Sequence, residues 1–107
     1  MDVVLKGRGV RITDQIRKTA ELKTAKIERL EPRARRLEIE ISQEHNPRIN
    51  GSHRVEVACA TARHVFRAAG SGQDVDTALD QVIHRLERQI TRYRRKLRDR
   101  RQAGPMV

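Results

Sequence analysis

The chain contains no tryptophan, one tyrosine and one phenylalanine. So few rings exclude a nucleic-acid binder that works mainly by stacking successive single-stranded bases. The single cysteine, Cys59, cannot close an internal disulfide and fits a reducing compartment. No stretch of roughly 18 apolar residues occurs, which excludes a membrane-spanning helix. The opening Met1-Asp2-Val3-Val4-Leu5-Lys6 has neither a basic leader nor the apolar core of a signal peptide, so no secretory role is expected.

Catalytic and metal-binding patterns are equally scarce. The histidines at 45, 53, 64 and 84 and Cys59 show neither paired-cysteine nor His-x-x-x-His spacing. His53 and His64 are the one pair expected to be able to meet, across neighbouring strands. Gly7-Arg8-Gly9 lacks the third glycine and the helix-opening context of a dinucleotide loop and reads as a turn. Ser42, Ser52 and Ser71 have no Gly-x-Ser-x-Gly frame. Cys59 falls on the inward face of a strand, where a thiol acts as a small inert hydrophobe. The carboxylates fall on exposed positions, with no pocket to shift their pKa values. No enzyme activity, cofactor, metal or small-molecule substrate is expected.

What is abundant is positive charge. Lys and Arg number 24 against 14 Asp and Glu, a net +10 on only 107 residues. So large an excess on one small domain attracts polyanions, with nucleic acid first among them and phosphate as the contacted group.

The pattern along the chain predicts the order β-α-β-β-β-α. A strand over residues 2 to 6 stops at Gly7-Arg8-Gly9, and Thr13 caps a helix that runs to Leu30 before Pro32. Its stripe is Ile16, Ala20, Ile27 and Leu30. Leu37, Ile39 and Ile41 alternate with Arg36, Glu38 and Glu40, and Val55, Val57 and Cys59 repeat the period of two. Between these strands, residues 45 to 52 read as a long mobile hairpin loop. A fourth strand, about 63 to 69, points Phe66 and Ala68 inward and is broken by Ser71-Gly72-Gln73-Asp74. Asp74 then caps a helix to about 99, whose stripe is Val75, Leu79, Val82, Ile83, Leu86, Ile90, Tyr93 and Leu97. The expected architecture is α+β in two layers, a four-stranded sheet with both helices packed on one face. The first strand-helix-strand unit is expected to be a right-handed crossover, and the last three strands an antiparallel meander. Residues 1 to 100 form the domain and 101 to 107 a flexible tail.

Each helix also segregates its charges. At roughly 100° per residue, Arg85, Arg88, Arg92, Arg95 and Lys96 share an arc of about 100° on the last helix. Asp76, Asp80 and Glu87 lie on the other flank of the core stripe. On the first helix, Lys18, Lys26 and Arg29 cluster, while Lys23 sits at the margin of the apolar stripe, where its stem is buried and its ammonium reaches water. Two such flanks make either a positive groove between the helices or a broad positive face.

These residues resemble a known family. Gly7 with its turn, then Val10-Arg11-Ile12-Thr13-Asp14-Gln15-Ile16-Arg17 and Lys23-Thr24-Ala25-Lys26-Ile27-Glu28, is similar to the opening of the ribosome hibernation-promoting factors, also called ribosome-associated inhibitors. Gly72-Gln73-Asp74, Ala78-Leu79-Asp80 and Arg85-Leu86-Glu87-Arg88-Gln89-Ile90 extend the resemblance to about residue 98. It implies a cytoplasmic bacterial protein, monomeric off the ribosome, that binds the small ribosomal subunit and its ribosomal RNA in stationary phase or stress. There it occupies the channel of messenger RNA and the A- and P-site transfer RNAs, so that translation stops without any reaction being catalysed. Carried over by position, Lys23, Lys26, Arg85, Arg88 and Arg92 would contact RNA, and the helical wheel adds Arg95 and Lys96. Asp76 stands where many relatives have an aromatic residue, so no contact is carried over to that position, and Thr19 and Thr24 replace aromatic residues of the first helix, which implies a thinner core. The competing readings are a general structured-RNA-binding or RNA-chaperone module and a protein-interaction domain acting through Tyr93 and Leu97.

Overall fold

The structure, a computed structural model, describes residues 1–43 and 53–102, except for the side chains of 101 and 102. The expected hairpin loop at 45–52 and the end of the tail therefore lie outside the described residues. The elements are β1 (Asp2–Arg8), α1 (Asp14–Leu30), β2 (Arg36–Gln43), β3 (His53–Ala60), β4 (Val65–Gly72) and α2 (Val75–Gln102). The sheet order is β1-β2-β3-β4, with β1 parallel to β2 and the remaining pairs antiparallel. This is the α+β order read from the sequence.

Local chemistry sets the helix starts. The Ile16 amide donates to Thr13 Oγ1 at 3.2 Å, and the Thr77 amide donates to Asp74 Oδ1 at 2.7 Å. Both satisfy an amide that has no carbonyl partner in the first turn. The Asp74 carboxyl is held below its ordinary range, chiefly by the hydrogen bond from the Thr77 amide. α1 ends where the Glu31 amide reaches the Ile27 carbonyl at 2.8 Å, just before Pro32.

One core lies between sheet and helices. Leu37, Ile39, Ile41, Val55, Val57, Cys59 and Phe66 supply it from the strands. Ala20 and Ile27 of α1 and Leu79, Val82, Ile83, Leu86 and Ile90 of α2 meet them. Ile16, Leu30, Val75 and Tyr93 pack only partly against this cluster. Two buried helix residues, Thr24 and Ala78, lie outside the stripes read from the sequence. Thr24 is tolerated there because its hydroxyl donates to the Glu21 carbonyl.

Three boundaries and one contact differ from expectation. β1 continues through Arg8, and the chain turns at Gly9, whose φ of 70° suits glycine. β4 is not broken at Ser71 but runs on to Gly72, because Gly70 and Gly72 sit where α2 comes closest to the sheet. A Cβ on Gly70 would stand 3.0 Å from the Val82 amide nitrogen and 3.1 Å from the Ala78 carbonyl oxygen. Helix α2 extends to Gln102, past the expected end at about 99. His53 and His64 do not meet: His53 pairs with Gly72 at one end of β3, and His64 follows its other end.

The free edge of β4 is covered by its own helix. Gln81 Oε1 accepts from the Ser71 amide at 2.8 Å, Arg85 Nη1 donates to the Ala69 carbonyl at 2.5 Å, and Gln89 Nε2 donates to the Arg67 carbonyl at 2.6 Å. The four-residue spacing along α2 matches the two-residue spacing along β4, so one helix face occupies three of the edge groups that would otherwise help recruit another strand.

Candidate nucleic-acid interface

Helix α2 has two neighbours, and they orient its charges. On one flank it meets β4 through Gln81, Arg85 and Gln89. On the other it meets α1: Lys23 Nζ pairs with Asp80, and Arg94 Nη1 donates to the Leu30 carbonyl at the end of α1. The acidic flank of α2 therefore faces α1. Acidic residues at that seam disfavour a positive groove between the helices.

Arg88, Arg92, Arg95 and Lys96 lie on the outward surface between those two contacts, all exposed. Among the described residues none of the four stands in an ion pair. Lys18, Lys26 and Arg29 on α1 are likewise exposed and unpaired. Such cations attract phosphate at the cost of little besides their own hydration.

The structure brings the remaining expected residues near this face in more constrained states. Arg85 spends one N–H on the Ala69 carbonyl and keeps others for a ligand. Lys23 has a side chain 24 % exposed and an ammonium committed to Asp80. Both roles depend on neighbouring elements that a helical wheel does not contain. The i, i+4, i+8 spacing of Gln81, Arg85 and Gln89 was the one visible sign of the edge contact.

The opposite, open face of the sheet differs in character. Glu38 pairs with Arg36 at 2.8 Å, Glu56 with Arg54 at 3.1 Å and Glu40 with Arg8 at 3.8 Å. Its charges largely answer one another, so the molecule's surplus of cations is concentrated on the helices. Among the described residues no group of His, Cys, Asp and Glu could hold a metal ion, and no helix is long and apolar enough to cross a membrane. Cys59 is fully buried; burial first, and the charge of Glu31 second, push its thiol up to about 11.

Comparison with known proteins places this geometry. Residues 3–98 match the model of the family described as sigma 54 modulation protein / S30EA ribosomal protein. A ribosome hibernation promotion factor from Picosynechococcus sp. is 25% identical over 97 residues, which is 90% of this chain and 50% of that protein. The chain thus spans about half the length of that curated relative. A ribosomal subunit interface protein from Coxiella burnetii has the same fold, with a TM-score of 0.78 at 20% identity over 88% of this chain and 98% of that one. The N-terminal domain of protein Y from Thermus thermophilus superposes with a TM-score of 0.73 at 26% identity, covering 87% of this chain and 99% of that one.

Proposed function

The chain belongs to the sigma 54 modulation protein / S30EA ribosomal protein family, and from that premise we propose that it binds the small ribosomal subunit through its basic helical face and silences translation. It is a cytoplasmic, non-enzymatic factor, monomeric off the ribosome. It lies in the channel used by messenger RNA and the A- and P-site transfer RNAs, and it acts in stress or stationary phase by filling that site. Arg88, Arg92, Arg95 and Lys96 grip ribosomal RNA phosphates from α2, and Lys26 does so from α1. Arg85 contributes the donors left free by Ala69, and Lys23 joins when Asp80 releases it. The observation that carries this reading is the row of exposed cations on the outward side of α2, unpaired among the described residues, in a chain of this family.

Co-sedimentation with purified small subunits tests it. Stoichiometric binding is expected, and prior loading of messenger and initiator transfer RNA should abolish it; binding indifferent to that loading would refute channel occupancy. Arg88→Glu, Arg92→Glu and Lys96→Glu together should leave the circular dichroism unchanged while removing both co-sedimentation and inhibition of cell-free translation. A folded triple variant that still inhibits at wild-type concentration would refute the α2 assignment. Equal affinity for small subunits and for unrelated structured RNAs would instead establish the general RNA-binding alternative.

A further inference from the structure

Beyond the ridge of cations, α2 continues past the sheet and forms one wall of a cleft of about 1010 Å³. The other walls are the α1–β2 connection and the β3–β4 turn. Arg33, Arg63, Arg94, Arg95 and Arg98 line it, brought from three separate segments of the chain. Leu30, Pro32, Tyr93 and Leu97 supply an apolar floor.

Each wall is pinned. Thr61 Oγ1 accepts from the Arg63 and His64 amides at 3.3 and 3.0 Å, which fixes the turn that carries Arg63. Glu31 Oε1 accepts from the Arg33 amide at 3.0 Å. Tyr93 anchors the overhanging helix by stacking on His64 at 4.5 Å and meeting Phe66 edge-on at 5.2 Å, and Arg94 ties α2 to the Leu30 carbonyl. Among the described residues the one acid in the lining is Glu31, itself 6 % exposed and turned to its own connection. Among the described residues no arginine of the cleft is in an ion pair.

We propose that this cleft takes an unstacked nucleotide of a single-stranded RNA segment, its base against the apolar floor and its flanking phosphates among the arginines. The idea rests on the RNA-binding reading above and adds to it a second contact of a different kind, which recognises a base rather than backbone alone. Guanidinium planes suit that ligand doubly, because they bond phosphate in a bidentate manner and stack on base faces. The cleft is large enough for such a unit, at the upper end of the usual size of small-molecule sites. An acidic peptide fits it less well, since no strand edge lines the cleft to pair with a peptide backbone.

The test measures fluorescence anisotropy of the full chain with a labelled uridine hexanucleotide, an abasic hexamer of the same backbone, a twelve-pair RNA duplex and hexaglutamate. The uridine hexamer should bind at least about fivefold tighter than the abasic one, as expected for one stacked base. Arg63→Glu with Arg98→Glu, both at exposed positions, should weaken the uridine hexamer about tenfold or more. Arg88→Glu with Arg92→Glu makes the same change of charge outside the cleft, so it should weaken the uridine hexamer by a clearly smaller factor than the Arg63/Arg98 pair and should leave the preference for bases over abasic sites in place. Leu97→Ser should erase the preference for bases over abasic sites. Equal binding of the uridine and abasic hexamers, a preference for the duplex, or equal competition by hexaglutamate would overturn the proposal. None of these results touches the ribosomal reading, which stands or falls on co-sedimentation of the wild-type chain.

Discussion

Cys59 shows how a single side chain sets a pH limit. Its thiol titrates near 11 in the folded chain against an ordinary 9.0, because burial and the nearby Glu31 disfavour the thiolate. The folded state therefore holds the proton more tightly than the unfolded one. Its contribution is complete below pH 9 and is lost as the pH rises from about 9 toward 11. Urea unfolding at pH 8, 9.5 and 10.5 should show the stability gap between wild type and Cys59→Ala narrowing with pH, and a constant gap would contradict the buried-thiol account. At pH 8 the native thiol should resist aromatic disulfide reagents and react only with denaturant present. Lys23 poses a different question, since its ammonium is already engaged by Asp80. An exposed pair of this kind is worth no more than about 1 kcal/mol, so RNA can compete for the lysine. Lys23→Ala should weaken subunit binding less than threefold in the wild type and clearly more in an Asp80→Asn background. Equal effects in both would remove Lys23 from the interface.

Among the elements, β4 and α2 pack backbone to backbone. A methyl group on Gly70 would meet the backbone of Ala78 and Val82, which move only if the whole helix moves. Gly70→Ala is therefore expected to cost about 1–3 kcal/mol, read as a lower urea midpoint with unchanged helix content. This seam also shows what the sequence made legible. The α2 stripe was plain because its apolar residues keep a 3.6-residue period for many turns, and β2 and β3 because theirs alternate strictly. The end of β4 was not, since Gly70-Ser71-Gly72 has the composition of a breaker and its glycines serve a contact with a distant helix. Thr24 and Ala78 escaped notice in the core because a hydroxyl and a lone methyl carry little hydrophobic signal. The arc of cations was legible on the wheel, but which of them face a neighbour was not: Arg85 and Lys23 read as free until β4 and α2 were set beside them.

At the scale of the whole molecule, a net +10 resides mainly on the helical side, because the carboxylates of the open sheet face have arginine partners. Affinity for the ribosome should accordingly fall by about 10³–10⁵ between 50 and 200 mM monovalent salt if six to ten phosphates are engaged. A flat response in a filter-binding titration would contradict an electrostatic interface. The same molecule carries a second asymmetry in its sheet. Helix α2 covers the margin at β4, while β1, at the other margin, has only β2 beside it among the described residues. A sheet with one sealed margin can add a neighbour on one side only. Two copies meeting margin to margin would close on themselves, and a third would find nowhere to join. Pairing through the described sheet margins can therefore go no further than a dimer, and this arrangement of strands gives no template for the indefinite edge-to-edge stacking from which fibres grow.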